Sequence, residues 1–442
     1  ARLMFDSLNL IADASVNIFS FIVALSIIVF IHEYGHYIVG KWCGIKAEIF
    51  SIGFGPVIFS RIDRFGTKWQ IAALPLGGFV KFIRDDESLN FDKENREAEF
   101  VQTRSFDTAP LLARALTVVA GPIANFILSF LILISFLLIN GMPSNNVILS
   151  YVKDHPVVLN PLLPNDEIIS INGYETPTLN SFYALVKNEY LKETVNYTIK
   201  RNGLVKEMSG PNPFPALIDN VTLRSSAFNA GLKSGDVIQE INGFKIYKFT
   251  QLQDLVTSIE NYPINLKVWR GGEILDFLVT PKLVDYPKQG GGFDKRKLIG
   301  ITAGSLFEFE RTRINFFEAT WLSIQQIYGI ITGSLDGIKN IIIGSISTCN
   351  LQGPIGIAST AGDAAQQGIG TFLRIIAVLS TAIGMLNLFP IPMLDGGHLL
   401  FYTYEGIFRK APSEKIIKFL TLIGIFLLIS LMMVAVSSDL FC

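Results

Sequence analysis

At 442 residues the chain has room for several domains, but its composition excludes an ordinary soluble protein. Half of the residues are hydrophobic and only 17% are charged, against roughly a quarter in soluble domains. Mean hydropathy is +0.41, and a formal net charge of −1 gives no basic footprint, so no nucleic-acid partner is expected.

Ala1-Arg2-Leu3, before Met4, read as foreign to the native chain and are set aside. The N-terminal membrane part is then 4–142. Its first span runs over about 16–39, with no charge from Val16 to Ile31 and His32-Glu33-Tyr34-Gly35-His36 directly after. No basic stretch precedes that run and no cleavage site follows, which argues against a signal peptide. A β-hairpin region is expected over 48–84, with strands Ile49–Ser60 and Lys68–Leu74 around an Arg64-Phe65-Gly66-Thr67 turn. Gly77-Gly78 beyond it would let another backbone approach closely. The second span is 116–139, again without charge.

Residues 143–285 repeat themselves with an offset of 70. Asn165-Asp166-Glu167-Ile168-Ile169-Ser170-Ile171-Asn172-Gly173 aligns with Gly235-Asp236-Val237-Ile238-Gln239-Glu240-Ile241-Asn242-Gly243, and Arg201 with Arg270 after one deletion. Each unit reads as strand, Asn-Gly turn, helix and hairpin. Gly231-Leu232-Lys233-Ser234-Gly235-Asp236-Val237-Ile238 resembles the GLxxGDxI signature of bacterial PDZ domains. Two PDZ-like domains, 143–211 and 212–285, are expected, with Gly231, Leu232, Gly235 and Asp236 as the second copy's ligand loop. PDZ folds bind peptides by strand addition and carboxylate capture, so peptide tails are expected partners there. The first copy has Pro161-Leu162-Leu163-Pro164 in place of Ala-Gly-Leu, which suits a steric filter.

A linker with an amphipathic or re-entrant stretch, Phe316 to Ile343, fills 286–370 at the outer surface. The C-terminal membrane part, 371–442, holds a third span (about 371–404, apolar to Leu394) and a fourth (about 417–436). Lys41, Lys46, Arg61, Arg64, Lys68, Lys81 and Arg84 follow span one, and Arg409, Lys410, Lys415 and Lys418 precede span four. By the positive-inside rule these loops are cytoplasmic, and both termini and the central region lie outside. Cys43, Cys349 and Cys442 are scattered and outline neither a disulfide framework nor a CxxC metal pair.

The chemistry concentrates at HEYGH. His-x-x-x-His on a helix puts two imidazoles on one face, and the intervening Glu can serve as general base toward an attacking water. Catalytic zinc takes three protein ligands and keeps a fourth position open. Charged groups at membrane depth are costly unless they face a polar interior or a metal. The third ligand should come from Asn387-Leu388-Phe389-Pro390-Ile391-Pro392-Met393-Leu394-Asp395-Gly396-Gly397-His398, where two prolines break the helix. Chemistry alone leaves Asp395 and His398 both open.

HExxH in a first span, NxxPxxxLDGG in a later one and PDZ repeats between them resemble the site-2 protease family, in its bacterial regulator-of-sigma-E protease type. Ala120-Gly121-Pro122-Ile123-Ala124-Asn125-Phe126 and Leu76-Gly77-Gly78-Phe79-Val80-Lys81 are similar to that family too, and the resemblance runs from Met4 on. It implies one Zn2+ per chain held by His32, His36 and Asp395, Glu33 as catalytic base, substrate contacts from Asn387, and no ligand role for His398. Gly77 and Gly78 are assigned to substrate binding through strand addition. The fold expected is a mixed membrane protein. About four transmembrane α-helices carry a membrane-associated β-hairpin region, with two tandem PDZ-like α+β domains between helices two and three. The resemblance points to a multi-pass protease of the bacterial inner membrane, its site near the cytoplasmic face within the lipid bilayer. Its expected substrates are single-span membrane proteins already trimmed outside, such as anti-sigma factors or signal-peptide remnants. The competing class is a non-enzymatic PDZ-containing membrane receptor or scaffold with a structural metal. Such sites are usually closed by four ligands, and only three can be named here. A metal transporter would need several intramembrane ligand clusters, and the sequence has one.

Overall fold

The computed structural model describes residues 2–83, 105–157, 162–188, 192–222, 225–260, 262–287, 293–347, 349 and 351–441. Arg84, Pro161 and Cys442, which the sequence reading used, lie outside these residues. The chain forms two compact units, one of 1–136 with 316–442 and one of 137–315.

The first unit opens with helix α1, Arg2–Trp42. Strand β1, Ala47–Ile62, and strand β2, Lys68–Phe82, follow, and then helix α2, Leu111–Asn140. Both strands are longer than the sequence suggested, because each bends and pairs twice. Residues 54–62 of β1 pair antiparallel with 68–74, through Phe54–Leu74 to Ile62–Lys68. Residues 49–52 pair with 68–71, where both numbers rise together as in a parallel pair, and also with 78–81. Positive φ at Gly53 and Gly55 (87° and 86°) permits the reversal inside β1 that this needs. The result is a four-segment sheet in the order 54–62, 68–74, 47–52, 78–82. Segment 68–74 is paired with 54–62 and, over 68–71, with 49–52 as well, so it is an inner segment, and 54–62 and 78–82 are the outer ones among the described residues. The pattern of 68–74 alone could not reveal this, since its second partner is the near half of β1.

The sheet is stapled to α1 through Asp63. That carboxylate accepts hydrogen bonds from Phe65 and Thr67 N–H, Trp69 Nε1–H and the Tyr37 hydroxyl, at 2.8–3.2 Å. Burial pushes its pKa up, but these donors outweigh burial and hold it below the usual carboxylate value. Phe50 is fully buried and stacks on Trp69, with ring centroids 4.3 Å apart.

The second unit begins with β3, Met142–Pro143, and β4, Leu149–Val152. The first copy of the repeat follows as β5 (Glu167–Ile171), β6 (Tyr174–Glu175), α3 (Leu179–Asn188), β7 (Thr194–Arg201) and β8 (Leu204–Pro211). After β9 (Ile218–Val221) and α4 (Ser226–Ala230), the second copy has β10 (Val237–Ile241), β11 (Phe244–Lys245), α5 (Phe249–Ser258), β12 (Ile264–Arg270) and β13 (Glu273–Val279). The two sheets have the same order, β6-β5-β7-β8 and β11-β10-β12-β13. Alternate residues face each core, Val195, Tyr197 and Ile199 on β7 and Ile264, Leu266 and Val268 on β12, as the two-residue period of a strand requires. Asn172-Gly173 and Asn242-Gly243 all have positive φ, as a two-residue hairpin turn demands.

Residues beyond 285, read as linker, supply closing strands. After the hairpin β14 (Lys282–Pro287) and β15 (Phe293–Leu298) come β16 (Ile301–Ala303), β17 (Phe307–Phe309) and β18 (Arg311–Thr312). β16 pairs with β9, β17 with β4 and β18 with β3. Ile299 belongs to the second core, whereas Leu306, Phe307 and Phe309 belong to the first. The second copy is thus nested between the two ends of the first rather than simply following it. These closing strands lie outside the repeated segment, so self-similarity could not show them.

The chain then returns to the first unit with α6, Phe316–Ile342, and α7, Pro354–Gln366. Next come α8, Ile369–Asn387, α9, Asp395–Phe408, and α10, Glu414–Phe441. Among the described residues, four helices are long and apolar enough to cross a membrane: Ser15–Trp42, Leu111–Asn140, Ile369–Asn387 and Glu414–Phe441. The third stops at Asn387 rather than running on to about 404, because Pro390 and Pro392 end it. Small residues set the crossings. Gly35 faces Ala120 and Ala124, Gly384 faces Pro122 and Asn125, and the Ser129 hydroxyl donates to the Ala377 carbonyl at 2.8 Å. At the far end of α10, Asp439 accepts the Gly353, Ile355 and Gly356 N–H groups and so caps α7, whose own N-cap glycine has no side chain to do it. Cys349 is disulfide-bonded and Cys43 is a free thiol, so the expectation of unconnected thiols fails at Cys349. Spacing along the chain carries no information on which sulfurs meet.

Candidate metal centre

Helical spacing puts His32 and His36 on one face of α1, and α2 crosses that face at Gly121. A Cβ on Gly121 would lie 2.9 Å from His32 Nε2 and closer still to the His36 ring, so only glycine leaves the imidazoles their room. The third group arrives from α9. Residues 388–394 fold over the start of that helix so tightly that any Cβ on Gly396 would meet the Leu388 and Phe389 carbonyls, and one on Gly397 the Ile391 carbonyl. This puts Asp395 in the first turn of α9, where the helix dipole favours a carboxylate.

His32 Nε2 lies 3.1 Å from Asp395 Oδ2, His36 Nε2 3.5 Å from the same oxygen, and the two Nε2 atoms 3.2 Å apart. Donors held tetrahedrally at zinc bond lengths are separated by about 3.3 Å. The triangle therefore fits one zinc ion with its fourth direction open. Asp395 Oδ2 is buried and accepts no hydrogen bond, the condition expected of an oxygen reserved for a cation. No other set of three metal-binding side chains converges in this way among the described residues.

The outer ring nitrogens are also engaged. His36 Nδ1 is 2.8 Å from the Thr117 carbonyl of α2, which fixes a proton on that nitrogen and leaves Nε2 free to ligate. His32 Nδ1 is 3.3 Å from the side-chain amide of Asn125.

The centre opens on a cavity of about 1630 Å³. Of the residues singled out in the sequence, Glu33, Asn387, Gly77, Gly78 and His398 line it along with the three candidate ligands. Val80, on the edge segment, lines the cavity beside Glu33, and its backbone interacts electrostatically with that carboxylate. A Cβ on Gly78 would meet the Ser51 carbonyl, Val29 and Glu33, so that glycine lets the sheet close on α1. Arg114 and Glu405, paired at 2.6 Å, line the cavity too and were not anticipated. Thr117 and Gly121 were also missed as site residues. Their signal was present in the polar and small residues of an otherwise apolar span.

Gly231, Leu232, Gly235 and Asp236 lie in the second unit, where they build a turn. Arg270 donates to both Asp236 oxygens at 2.6 and 2.7 Å, and Lys233 N–H donates to one of them. Arg201 holds Asp166 in the same way in the first copy. The Asp236 carboxylate is buried and held by these three donors, so it supports the turn.

Fold and site together define a membrane-embedded zinc metalloprotease. The chain belongs to peptidase family M50, the site-2 proteases, whose profile matches residues 20–431. It is 31% identical to the regulator of sigma E protease of Haemophilus influenzae, over 95% of this chain and 97% of that one. Proteins assigned as zinc metalloproteases in Brucella suis and Vibrio cholerae are each 31% identical, covering 96% of this chain and 95% and 98% of theirs. The chain is accordingly a metalloendopeptidase that uses zinc.

Proposed function

We propose that the chain hydrolyses peptide bonds within transmembrane segments, with His32, His36 and Asp395 holding zinc and Glu33 as general base. The observation that carries this reading is the triangle of ligand atoms, 3.1–3.5 Å on a side, beside a carboxylate in a cavity among apolar helices. Zinc bound there would polarise a peptide carbonyl and make water a nucleophile at neutral pH. Glu33 takes the proton from the attacking water and returns it to the leaving amine, while Asn387 hydrogen-bonds the substrate backbone.

A substrate helix hides its peptide bonds in its own hydrogen bonds and must unwind to be cut. The edge segment 78–82 lines the cavity and has no strand on its outer side among the described residues. A substrate strand added there would lie against Glu33, because Gly78 of that segment packs on the Glu33 side chain.

The Lys and Arg of the 41–81 and 409–418 loops support a cytoplasmic position for both loops in a bacterial inner-membrane protein, with termini and inserted unit in the periplasm. The disulfide at Cys349 agrees, since disulfides persist on the oxidising side. The relative in Haemophilus influenzae is named for sigma-E regulation, which supports anti-sigma factors, or remnant signal peptides, trimmed beforehand in the periplasm, as substrates.

Glu33→Gln tests the assignment. Zinc is expected to stay stoichiometric while cleavage of a model transmembrane substrate falls by at least roughly a hundredfold. Retained cleavage refutes the role of Glu33.

A further inference from the structure

Asn125 is completely buried in α2, and its amide points at the outer nitrogen of His32. Its two polar atoms are treated unequally. Nδ2 lies 3.3 Å from His32 Nδ1, whereas Oδ1 is buried with no hydrogen-bond partner. With a proton on His32 Nε2 facing Asp395, Nδ1 is an acceptor and the amide donates to it. When Nε2 serves as a ligand its proton must sit on Nδ1, and Nδ1–H then faces a second donor. A half-turn of the amide about its last torsion exchanges Oδ1 for Nδ2 and presents an acceptor. The backbone around that amide is pinned, because the Ser380 hydroxyl of α8 donates to the Asn125 carbonyl at 2.9 Å. His36 needs no such side chain, since a main-chain carbonyl already receives its Nδ1–H.

We propose that Asn125 is the positioning residue for His32, its side-chain oxygen accepting Nδ1–H and so committing Nε2 to zinc. This rests on the metal assignment proposed above and extends it by one residue that no ligand motif contains. A hydrogen-bonded outer partner fixes ring orientation and raises ligand basicity, and losing one typically lowers metal affinity by 10–100-fold.

The test measures zinc affinity of the purified full chain in detergent by competition with a chromogenic chelator. Asn125→Ala is expected to bind zinc about 10–100-fold more weakly, whereas Asn125→Asp, which keeps an oxygen acceptor, stays close to the unaltered chain. Nitrogen-15 NMR of the histidine-labelled, zinc-loaded chain, which has only four histidines, reads the His32 tautomer without any substitution at Asn125. A proton on His32 Nδ1 and metal on Nε2 are expected. Unchanged affinity in Asn125→Ala, an Asp variant as weak as the Ala variant, or a His32 Nδ1 without its proton each overturns the proposal. Failure of the underlying metal assignment is seen separately, as an unaltered chain that takes up no zinc.

Discussion

Gly121 contributes no side chain, yet the two imidazoles exist in their observed positions only because it has none. Gly121→Ala makes a clean prediction. Alanine favours a helix interior over glycine by up to about 1 kcal/mol, so α2 should not suffer from the change itself. The new methyl displaces His32 and His36, and zinc content measured on the purified chain should collapse while its helical circular dichroism is kept. A normally zinc-loaded G121A protein would mean that the imidazoles stand elsewhere. Asp395→Asn and His398→Asn should also part company. Only the first is expected to lose metal, because His398 lines the cavity without joining the triangle.

Among the elements, the bent sheet is where the tertiary structure redirects the experiment. A proline in 68–71 tests little beyond folding, as those residues are paired on both sides. Val80→Pro removes an N–H from the edge segment that packs beside Glu33. Zinc content should be unchanged, and cleavage of a transmembrane substrate should fall by about a hundredfold, the scale of a misplaced general base. Cysteines placed singly at 78 to 82 should cross-link to an unwound substrate with a period of two if it adds as a strand. Cross-linking without that period would argue for a different mode of binding.

At the scale of the whole molecule, the two units should respond differently to acid. His155, in the inserted unit, has its pKa pushed down to about 4 by burial, from an ordinary 6.5. Between those values the unfolded chain binds a proton that the folded one refuses. Stability is therefore complete above about 6.5 and declines as pH falls toward 4, by about 3 kcal/mol in all. Hydrogen exchange of the 137–315 unit followed from about pH 7 to 4.5 should show it, and His155→Phe should flatten the slope. Asp63, which anchors the sheet of the other unit, acts lower: its depressed pKa confers stability above the ordinary 3.8 that is lost only as pH falls further.

The sequence by itself determined where the four candidate spans lie, the repeat and its Asn-Gly turns, and two of the three candidate ligands with the candidate base. All of these rest on local signals: hydropathy over twenty residues, a fixed offset, and a four-residue spacing on one helix. Asp395 was legible as one of two polar groups beyond a proline break, and the family resemblance favoured it over its neighbour. Only the tertiary structure decided what depends on contacts between distant segments. It joined β16, β17 and β18 to strands some 80 to 170 residues earlier, bound Asp236 to Arg270, and put 78–82 at an edge of the sheet among the described residues. It also set Thr117, Gly121 and Asn125 of α2 against the two histidines of α1. In a span that is apolar almost throughout, hydrophobicity does not specify which face meets which helix. Small residues and a few buried hydrogen bonds do, and those appear only when the helices are packed.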